Sequence, residues 1–246
     1  MALREEFENV GNWLFRWRSY LPLAIIVLYL LALLKCDYTA QSSVWDPLWE
    51  IASLLVCFLG LGIRIFTISY TPRGTSGRNT RKQVAETLNT TGIYSIVRNP
   101  LYLGNFFIGL GMTIFSHIWW LILVYILLFS LYYERIIFAE EAFLRKKFGE
   151  SYIDWSNRTP AIIPRFRQYQ RANLPFSMRK ALKREDNSFF TIIITLFILE
   201  TINNLFMHRR LEFDKEWIII LSTGFIIWST LRILRKRTKV LRVEGR

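Results

Sequence analysis

Cysteine and histidine, on which many metal and redox sites depend, are scarce in this sequence, with two of each among 246 residues. Cys57 falls inside a long apolar run, so no disulfide to Cys36 is predicted. His117 and His208 fall on the membrane face opposite the basic segments described below, and the chain offers no cluster of soft ligands. The sequence therefore predicts no metal site.

Negative charge is also in short supply, with 19 acidic against 32 basic residues and a net charge of +13. Such an excess is typical of proteins that bind nucleic acid or an anionic membrane surface. Apolar residues, by contrast, are abundant: 52% of the chain is hydrophobic and 16% is aromatic. This composition indicates a membrane protein.

Six apolar runs are long enough, or nearly so, to cross a hydrocarbon core. They cover residues 20–34, 48–70, 101–115, 118–138, 189–206 and 217–234. Only Ser116 and His117 join the third run to the fourth, which predicts a tight helical hairpin. The predicted fold class is all-α, a polytopic transmembrane helical protein with about six spans.

The distribution of charge predicts the orientation of these spans. Residues 71–100, 139–188 and 232–246 each carry a net positive charge, whereas residues 35–50 are net acidic and residues 203–216 are neutral. Because basic loops tend to stay in the cytoplasm, both termini and the large basic segments are predicted to be cytoplasmic. The net charge then reflects topology and contact with an anionic lipid bilayer, and no nucleic-acid partner is predicted.

Three parts of the chain are predicted to have different roles. Residues 1–47 contain a first span, expected to stay uncleaved, and an amphipathic helix whose Arg16 and Arg18 suit an interfacial anchor or a lipid headgroup. Residues 48–164 carry the motifs described next. Residues 165–246 are interpreted as an appended basic linker with two C-terminal spans, where the functional signal is weakest.

Residues 92–105 lie where a basic loop meets an apolar helix. Asn99 is a favourable N-cap and Pro100 fits the first helical turn, so a helix is predicted to begin here. The unpaired N–H groups of that turn attract anions, and Arg98 adds a permanent positive charge beside them. An ordinary capped transmembrane helix, with its arginine reaching a lipid phosphate, explains the same residues.

Several polar residues in or beside the apolar runs are further candidates. Arg64 lies near the inner end of the second run, where it serves either a functional site or an anchor at the surface. Tyr102 and Asn105 share one face of the third helix and need a partner or a ligand within lipid. Glu140 and Glu141 lie on a charged helix that is predicted to continue the fourth run.

Together, these residues resemble two motifs of the isoprenylcysteine carboxyl methyltransferase and phospholipid methyltransferase superfamily. The motifs occur in the family's order on either side of the predicted hairpin, and the resemblance covers roughly residues 50–164. The first motif is matched by Gly92, Tyr94, Arg98, Asn99, Pro100, Tyr102 and Gly104. The second is matched by Glu140, Glu141, Leu144, Phe148, Gly149, Tyr152, Ile163 and Pro164.

The resemblance implies that S-adenosyl-L-methionine binds in a cytoplasmic cap and that a methyl group is transferred to a lipidic acceptor at the membrane surface. Asn99 stands where the family often has histidine, and Trp155 replaces a common tyrosine. Either Glu140 or Glu141 is expected to accept hydrogen bonds from the cofactor. The predicted cofactor-binding residues are Tyr94, Asn99, Pro100, Tyr102, Gly104, Asn105, Glu140 and Glu141.

Arg98, Arg158 and Arg64 are the predicted catalytic residues, because guanidinium groups match the oxygens of a phosphate or carboxylate acceptor. Such acceptors are already anionic at neutral pH and need positioning more than acid or base chemistry. The sequence therefore favours O-methylation of an anionic lipid headgroup, such as the phosphate of lipid A in a bacterial inner membrane. The alternatives are carboxyl methylation of a prenylated cysteine and N-methylation of a phospholipid amine.

Two other classes of protein fit part of the pattern. A membrane reductase of the sterol type shares a related cofactor-end architecture and would bind NADPH. A non-enzymatic lipid-binding protein would account for the charge but not for the paired motifs.

Overall fold

A computed structural model of the protein describes residues 2–33, 46–72, 83–241 and 243. Regular structure in these ranges is helical, apart from one isolated antiparallel bridge between Gly92 and Gln170. The α-helices are α1 (Leu3–Trp17), α2 (Leu21–Leu33), α3 (Asp46–Tyr70), α4 (Pro100–Ile114), α5 (Trp119–Phe148), α6 (Glu150–Arg158), α7 (Met178–His208) and α8 (Lys215–Arg237).

Four helices in the described ranges are long and apolar enough to cross a membrane: Leu48–Tyr70, Trp119–Phe148, Met178–Met207 and Lys215–Arg237. The prediction of an all-α polytopic protein is confirmed. The runs at residues 20–34 and 101–115 form helices of 13 and 15 described residues, shorter than the ~20 residues that a full crossing needs. The six predicted spans therefore correspond to four full-length candidates and two shorter apolar helices.

Helices α4 and α5 form the predicted hairpin. His117, between them, has a positive φ of 58°. The Tyr125 hydroxyl donates to the Phe106 carbonyl oxygen at 2.9 Å, and Gly109 leaves room for the Tyr125 ring, because a Cβ there would lie 2.3 Å from the hydroxyl oxygen. Helix α5 continues unbroken through its charged extension and ends at Gly149, which has a φ of 55° that glycine adopts without strain.

Helices α3 and α4 pack through glycines, because small residues let two helix backbones approach closely. A Cβ on Gly60 would lie 2.5 Å from the backbone oxygen of Gly104, and one on Gly111 would lie 2.5 Å from Sγ of Cys57. Cys57 is a buried free thiol that donates to a backbone carbonyl of α4 at 3.3 Å. The same close packing brings Arg64 of α3 against Gly104.

Helix α1 lies against the charged extension of α5. A Cβ on Gly11 would lie 2.1 Å from the backbone oxygen of Arg135, and the Arg135 guanidinium stacks 3.3 Å from the Phe7 ring centroid. The Tyr132 hydroxyl donates to the Leu14 carbonyl oxygen at 2.8 Å. The N-terminal helix that the sequence predicted is therefore attached to α5 by direct contacts.

Helix α7 belongs to the same core as α3 and α4. Ile192 and Leu196 of α7 are fully buried in one apolar cluster with Cys57 of α3. Near its N-terminal end, Lys180 is buried and its Nζ donates to Thr71 Oγ1 at 3.1 Å. The segment interpreted from the sequence as an appended linker and spans thus takes part in the central packing.

Candidate active site

Backbone hydrogen bonds join the loop before α4 to the chain after α6. The N–H of Gly92, which has a φ of 63°, donates to the Gln170 carbonyl oxygen at 2.9 Å. The N–H of Arg98 donates to the Pro160 carbonyl oxygen at 2.9 Å. These bonds bring the first sequence motif against the end of the second.

Asn99 occupies the N-cap position of α4, and Pro100 is the first helical residue, as predicted. The Asn99 side chain makes no capping hydrogen bond, however, and its Nδ2 donates instead to the Ala161 carbonyl oxygen at 3.1 Å. The helix therefore begins where predicted, and the Asn99 side chain connects its start to the proline-bounded segment after α6.

Side chains of α5 and α6 hold the loop in place from the other side. Trp155 Nε1 donates to the Tyr94 carbonyl oxygen at 3.1 Å. Arg98 Nη1 donates to the Ser156 carbonyl oxygen at 2.7 Å, and Arg98 Nη2 lies 2.8 Å from a carboxylate oxygen of Glu141. Arg98 is thus anchored to both helices of the second motif, which leaves its guanidinium little freedom to move.

A cavity of about 670 Å³ lies between this loop, α1, α3, α4, α5 and α7. Its volume is in the range of small-molecule sites. At one end, its walls are polar and include Arg18, Tyr94, Arg98, Tyr102 and Glu140. At the other end, within the hairpin, they include Ile108, Gly109, Met112 and Tyr125. Tyr125 and Glu140 are roughly 22 Å apart along α5 at 1.5 Å per residue, so the cavity extends from the charged extension well into the apolar hairpin.

Arg18, just beyond α1, connects three walls of the polar end. Its Nη1 donates to the Tyr102 hydroxyl at 3.1 Å and lies 3.7 Å from a Glu140 carboxylate oxygen. Its guanidinium stacks 3.9 Å from the Phe15 ring centroid. Sequence analysis considered Arg18 as an interfacial anchor or a contact for a lipid headgroup and did not predict its pairing with Glu140, since nothing in the local pattern shows that α1 folds back against α5.

A second polar network crosses the cavity from α7 to α5. Both carboxylate oxygens of Glu185 accept hydrogen bonds from Arg64, one from Nε and one from Nη2, each at 2.8 Å. Arg64 Nη1 donates to the Asn105 side-chain oxygen, and Asn105 Nδ2 lies 3.1 Å from the Tyr133 hydroxyl. Glu185 was missed by sequence analysis, although an acidic residue inside an otherwise basic stretch is a weak signal.

Most of the residues predicted to form the site line this one cavity. They are Arg64, Tyr94, Arg98, Asn99, Pro100, Tyr102, Asn105 and Glu140. Glu141 instead binds Arg98, and Gly104 lies in the contact between α3 and α4, where a Cβ would be 2.5 Å from Cγ of Arg64. Arg158 is exposed, and its Nε donates to the Asp154 carbonyl oxygen at 3.1 Å. The roles assigned to all these residues stay predictions.

Two tyrosines near the site that lie outside the apolar helices have raised pKa values. Burial raises the pKa of Tyr94, and the negative charge of Glu140 raises it further. Burial likewise raises the pKa of Tyr152, with the charge of Glu141 adding to the effect. Both side chains therefore stay neutral near pH 7.

The side chains around the cavity fit a ligand with both cationic and anionic groups, as S-adenosyl-L-methionine has. Glu140 and the aromatic faces of Tyr94 and Tyr102 suit cationic groups, and the arginines suit a carboxylate. Arg98 also keeps one buried guanidinium nitrogen, Nε, without a hydrogen-bond partner. Within the ranges described, no group of three His, Cys, Asp or Glu side chains has the proximity that a metal site requires.

Comparison with known families agrees with the motifs. The sequence profile of the phospholipid methyltransferase family matches residues 49–151. This match begins in α3 and ends at the start of α6, so it leaves out α1, α2, α7 and α8. No solved structure matches the chain.

Individual relatives include two bacterial proteins and one from yeast. The nickel-cobalt-cadmium resistance protein NccN of Alcaligenes xylosoxydans is 32% identical over 158 residues, which cover 63% of this chain and 68% of that protein. The cobalt-zinc-cadmium resistance protein CzcN of Cupriavidus metallidurans is 32% identical over 148 residues, or 59% of this chain and 63% of that protein. The protein-S-isoprenylcysteine O-methyltransferase of Schizosaccharomyces pombe is 35% identical over 77 residues, or 31% and 33% of the two chains.

Proposed function

This chain belongs to the membrane-integral superfamily of isoprenylcysteine carboxyl methyltransferases and phospholipid methyltransferases, and from that premise we propose that it is an S-adenosyl-L-methionine-dependent enzyme. The proposed reaction is O-methylation of an anionic lipid headgroup at the membrane surface. The observation that carries the proposal is the shared cavity, because Arg98 of the first motif and Glu140 of the second line one space with Tyr94 and Tyr102.

When bound, S-adenosyl-L-methionine would supply an electrophilic methyl group on a positively charged sulfur, which passes to an acceptor oxygen and leaves S-adenosylhomocysteine as the second product. Glu140 would accept hydrogen bonds from amino or hydroxyl groups of the cofactor, and Arg18, 3.7 Å from the Glu140 carboxylate, would orient it. The rings of Tyr102 and Tyr94, which line the cavity, would interact favourably with a positively charged group. The apolar wall at Ile108 and Met112 keeps water from the reacting atoms.

An anionic acceptor suits this site because its oxygen carries no proton that a base must remove. Arg64 and Arg98 hold such an oxygen through their guanidinium N–H groups. A lipid phosphate, such as that of lipid A, is the acceptor class that we favour. This choice goes with a bacterial inner membrane and with both termini on the cytoplasmic side, which the basic segments of the chain support.

Methylation of a phospholipid amine is the second candidate, and one observation favours it. Each of three arginines at the site lies within 4 Å of a carboxylate, so their positive charges are already balanced. A charge-balanced site attracts an anionic headgroup less strongly than the sequence alone suggests.

The match to protein-S-isoprenylcysteine O-methyltransferase supports a carboxylate acceptor instead.

Methyl transfer by the purified protein in detergent distinguishes these acceptors. Labelled S-adenosyl-L-methionine is supplied with dioleoyl phosphatidic acid, N-acetyl-S-farnesylcysteine or dioleoyl phosphatidylethanolamine, which present a phosphate, a carboxylate and an amine. We expect label in the phosphate lipid. Label in N-acetyl-S-farnesylcysteine alone would identify a carboxylate acceptor, and label in dioleoyl phosphatidylethanolamine alone would identify an amine acceptor. If no probe is labelled and NADPH binds at least ten times more tightly than S-adenosyl-L-methionine, the protein is a reductase.

Replacing Glu140 tests the cofactor site. A hydrogen bond to a charged group contributes about 1.5–3 kcal/mol, so Glu140→Gln should weaken binding of S-adenosylhomocysteine by about 10- to 100-fold in calorimetry. Glu150→Gln, at an exposed position in the first turn of α6, is the matched control and should bind like the parent protein. Equal affinities for both variants would remove Glu140 from the cofactor site.

A further inference from the structure

Three hydrogen bonds hold the guanidinium of Arg64. Glu185 accepts from Nε and Nη2 in a bidentate arrangement, and Asn105 accepts from Nη1. The Glu185 side chain is only 4% exposed, and that of Arg64 is 18% exposed. Because two side chains hold the planar guanidinium by different nitrogens, its position and its plane are both determined.

A guanidinium has five N–H donors, and the contacts described for Arg64 use three of them. One donor on Nη1 and one on Nη2 are therefore left over. Arg64 lines the cavity, as do Asn105 and Glu185. Since Glu185 balances the charge of Arg64, the guanidinium serves this cavity as an oriented pair of donors more than as a free positive charge.

Glu185 comes from α7, beyond the segment that the family profile matches. Its neighbour Asp186 is buried as well and pairs with Arg235 of α8 at 2.8 Å. Two adjacent buried carboxylates thus bind arginines on different helices, and only Glu185 faces the cavity. The pairing of Asp186 contributes to the packing of α7 on α8, whereas Glu185 and its partner Arg64 line the cavity.

We infer that Glu185 is a positioning residue for the methyl acceptor, which it serves by orienting Arg64 so that the two remaining N–H donors bind oxygens of a phosphate or carboxylate headgroup. This inference rests on the proposed function and adds to it a residue that determines acceptor binding. The main cofactor contact is assigned to Glu140, which pairs with Arg18 and not with Arg64, so loss of Glu185 should weaken acceptor binding far more than cofactor binding.

The test measures two affinities for the full-length protein in detergent, one for dioleoyl phosphatidic acid and one for S-adenosylhomocysteine. In Glu185→Gln the amide nitrogen cannot accept a hydrogen bond, so Arg64 loses one contact and its charge partner. We expect phosphatidic acid to bind about tenfold more weakly and S-adenosylhomocysteine to bind within about twofold of the parent. Glu185→Asp keeps the negative charge, and its affinity for phosphatidic acid should lie between those of Glu185→Gln and the parent protein.

Asp186→Asn is the matched control, because it also removes a buried carboxylate from an arginine pair on α7. It should lower the thermal unfolding temperature without selectively weakening phosphatidic acid binding. The inference is overturned if Glu185→Gln binds phosphatidic acid like the parent, or if Asp186→Asn weakens that binding equally. It is also overturned if both Glu185 variants fail to fold while Asp186→Asn folds.

Binding measurements on the parent protein distinguish failure of this inference from failure of the proposed function. If the parent binds S-adenosylhomocysteine but not phosphatidic acid or N-acetyl-S-farnesylcysteine, the role of Glu185 is rejected and methyl transfer stands. If the parent does not bind S-adenosylhomocysteine, the proposed function itself is rejected.

Discussion

Arginine and carboxylate side chains from distant parts of the chain meet at three places around the cavity. The pairs are Arg18 with Glu140, Arg64 with Glu185 and Arg98 with Glu141. Removing one partner of a buried pair leaves an uncompensated charge, so each pair constrains the helices that supply it. A bound anion must therefore use the donors that the carboxylates leave over or displace a carboxylate.

Tyr152, buried beside this network, gives a prediction about stability at high pH. Burial and the charge of Glu141 raise its pKa above the ordinary value of 10.0. Its contribution to stability is therefore fully present below about pH 10 and is lost as pH rises toward the folded pKa, because the unfolded chain ionises first. Tyr152→Phe should gain stability relative to the parent protein above pH 10, by up to about 1.4 kcal/mol per pH unit.

Thermal unfolding in detergent at pH 8, 9.5 and 10.5 measures this effect. The difference in unfolding temperature between Tyr152→Phe and the parent should shift in favour of the variant as the pH increases. A difference that stays constant over this range would contradict the raised pKa.

At the scale of elements, the contact between α3 and α4 depends on residues without a side chain. A Cβ on Gly60 would lie 2.5 Å from the Gly104 oxygen and 2.7 Å from the Ile108 nitrogen, both backbone atoms that cannot move aside cheaply. Gly60→Ala should therefore reduce the free energy of unfolding by about 1–3 kcal/mol. It should also displace the side chain of Arg64, which lies one helical turn further along α3.

Gly62 is the matched control for this prediction, because a Cβ at that position would meet no atom within 4 Å beyond its neighbours in the same helix. Gly62→Ala should leave stability unchanged or increase it by up to about 1 kcal/mol, since alanine is the better helix former. The measurement is the unfolding temperature of both variants in one detergent. Equal unfolding temperatures for the two variants would show that the contact between α3 and α4 accommodates a Cβ at Gly60, which would contradict the prediction.

Helices outside the profile match complete the candidate site. Helix α1 leads to Arg18, which contacts Glu140, and α7 supplies Glu185, which holds Arg64. The family-matched helices on their own would leave Glu140 and Arg64 without these partners. The terminal parts of this chain are therefore where differences in acceptor binding from other family members are expected.

At the scale of the whole molecule, the predicted orientation is tested by the two natural cysteines. Cys36 belongs to the net acidic segment predicted on the non-cytoplasmic side and lies outside the described residues, whereas Cys57 is buried. A membrane-impermeant maleimide should therefore label the protein in intact cells whose outer membrane, if present, has been permeabilised. The Cys36→Ser variant of the protein should carry no label. Labelling that requires lysis of the inner membrane would reverse the predicted orientation.

The helices and the family could be predicted from local pattern. Apolar runs longer than about 18 residues need a helix in lipid, and Pro100 and Gly149 limit helices through their own backbone preferences. Most of the site residues predicted from the sequence, including Tyr94 and Glu140, also line the cavity. These features depend on neighbours in sequence, so the amino-acid sequence by itself determined them.

Only the tertiary structure decided which charges meet. Arg18 and Glu140 are separated by more than 100 residues, as are Arg64 and Glu185, and nothing in local spacing specifies such pairs. The Asn99 side chain likewise binds Ala161 because of how the chain after α6 returns across the loop. Hydropathy and capping are local properties, whereas the partner of a buried charge depends on the packing of whole helices, and for this reason the site's electrostatics required the fold.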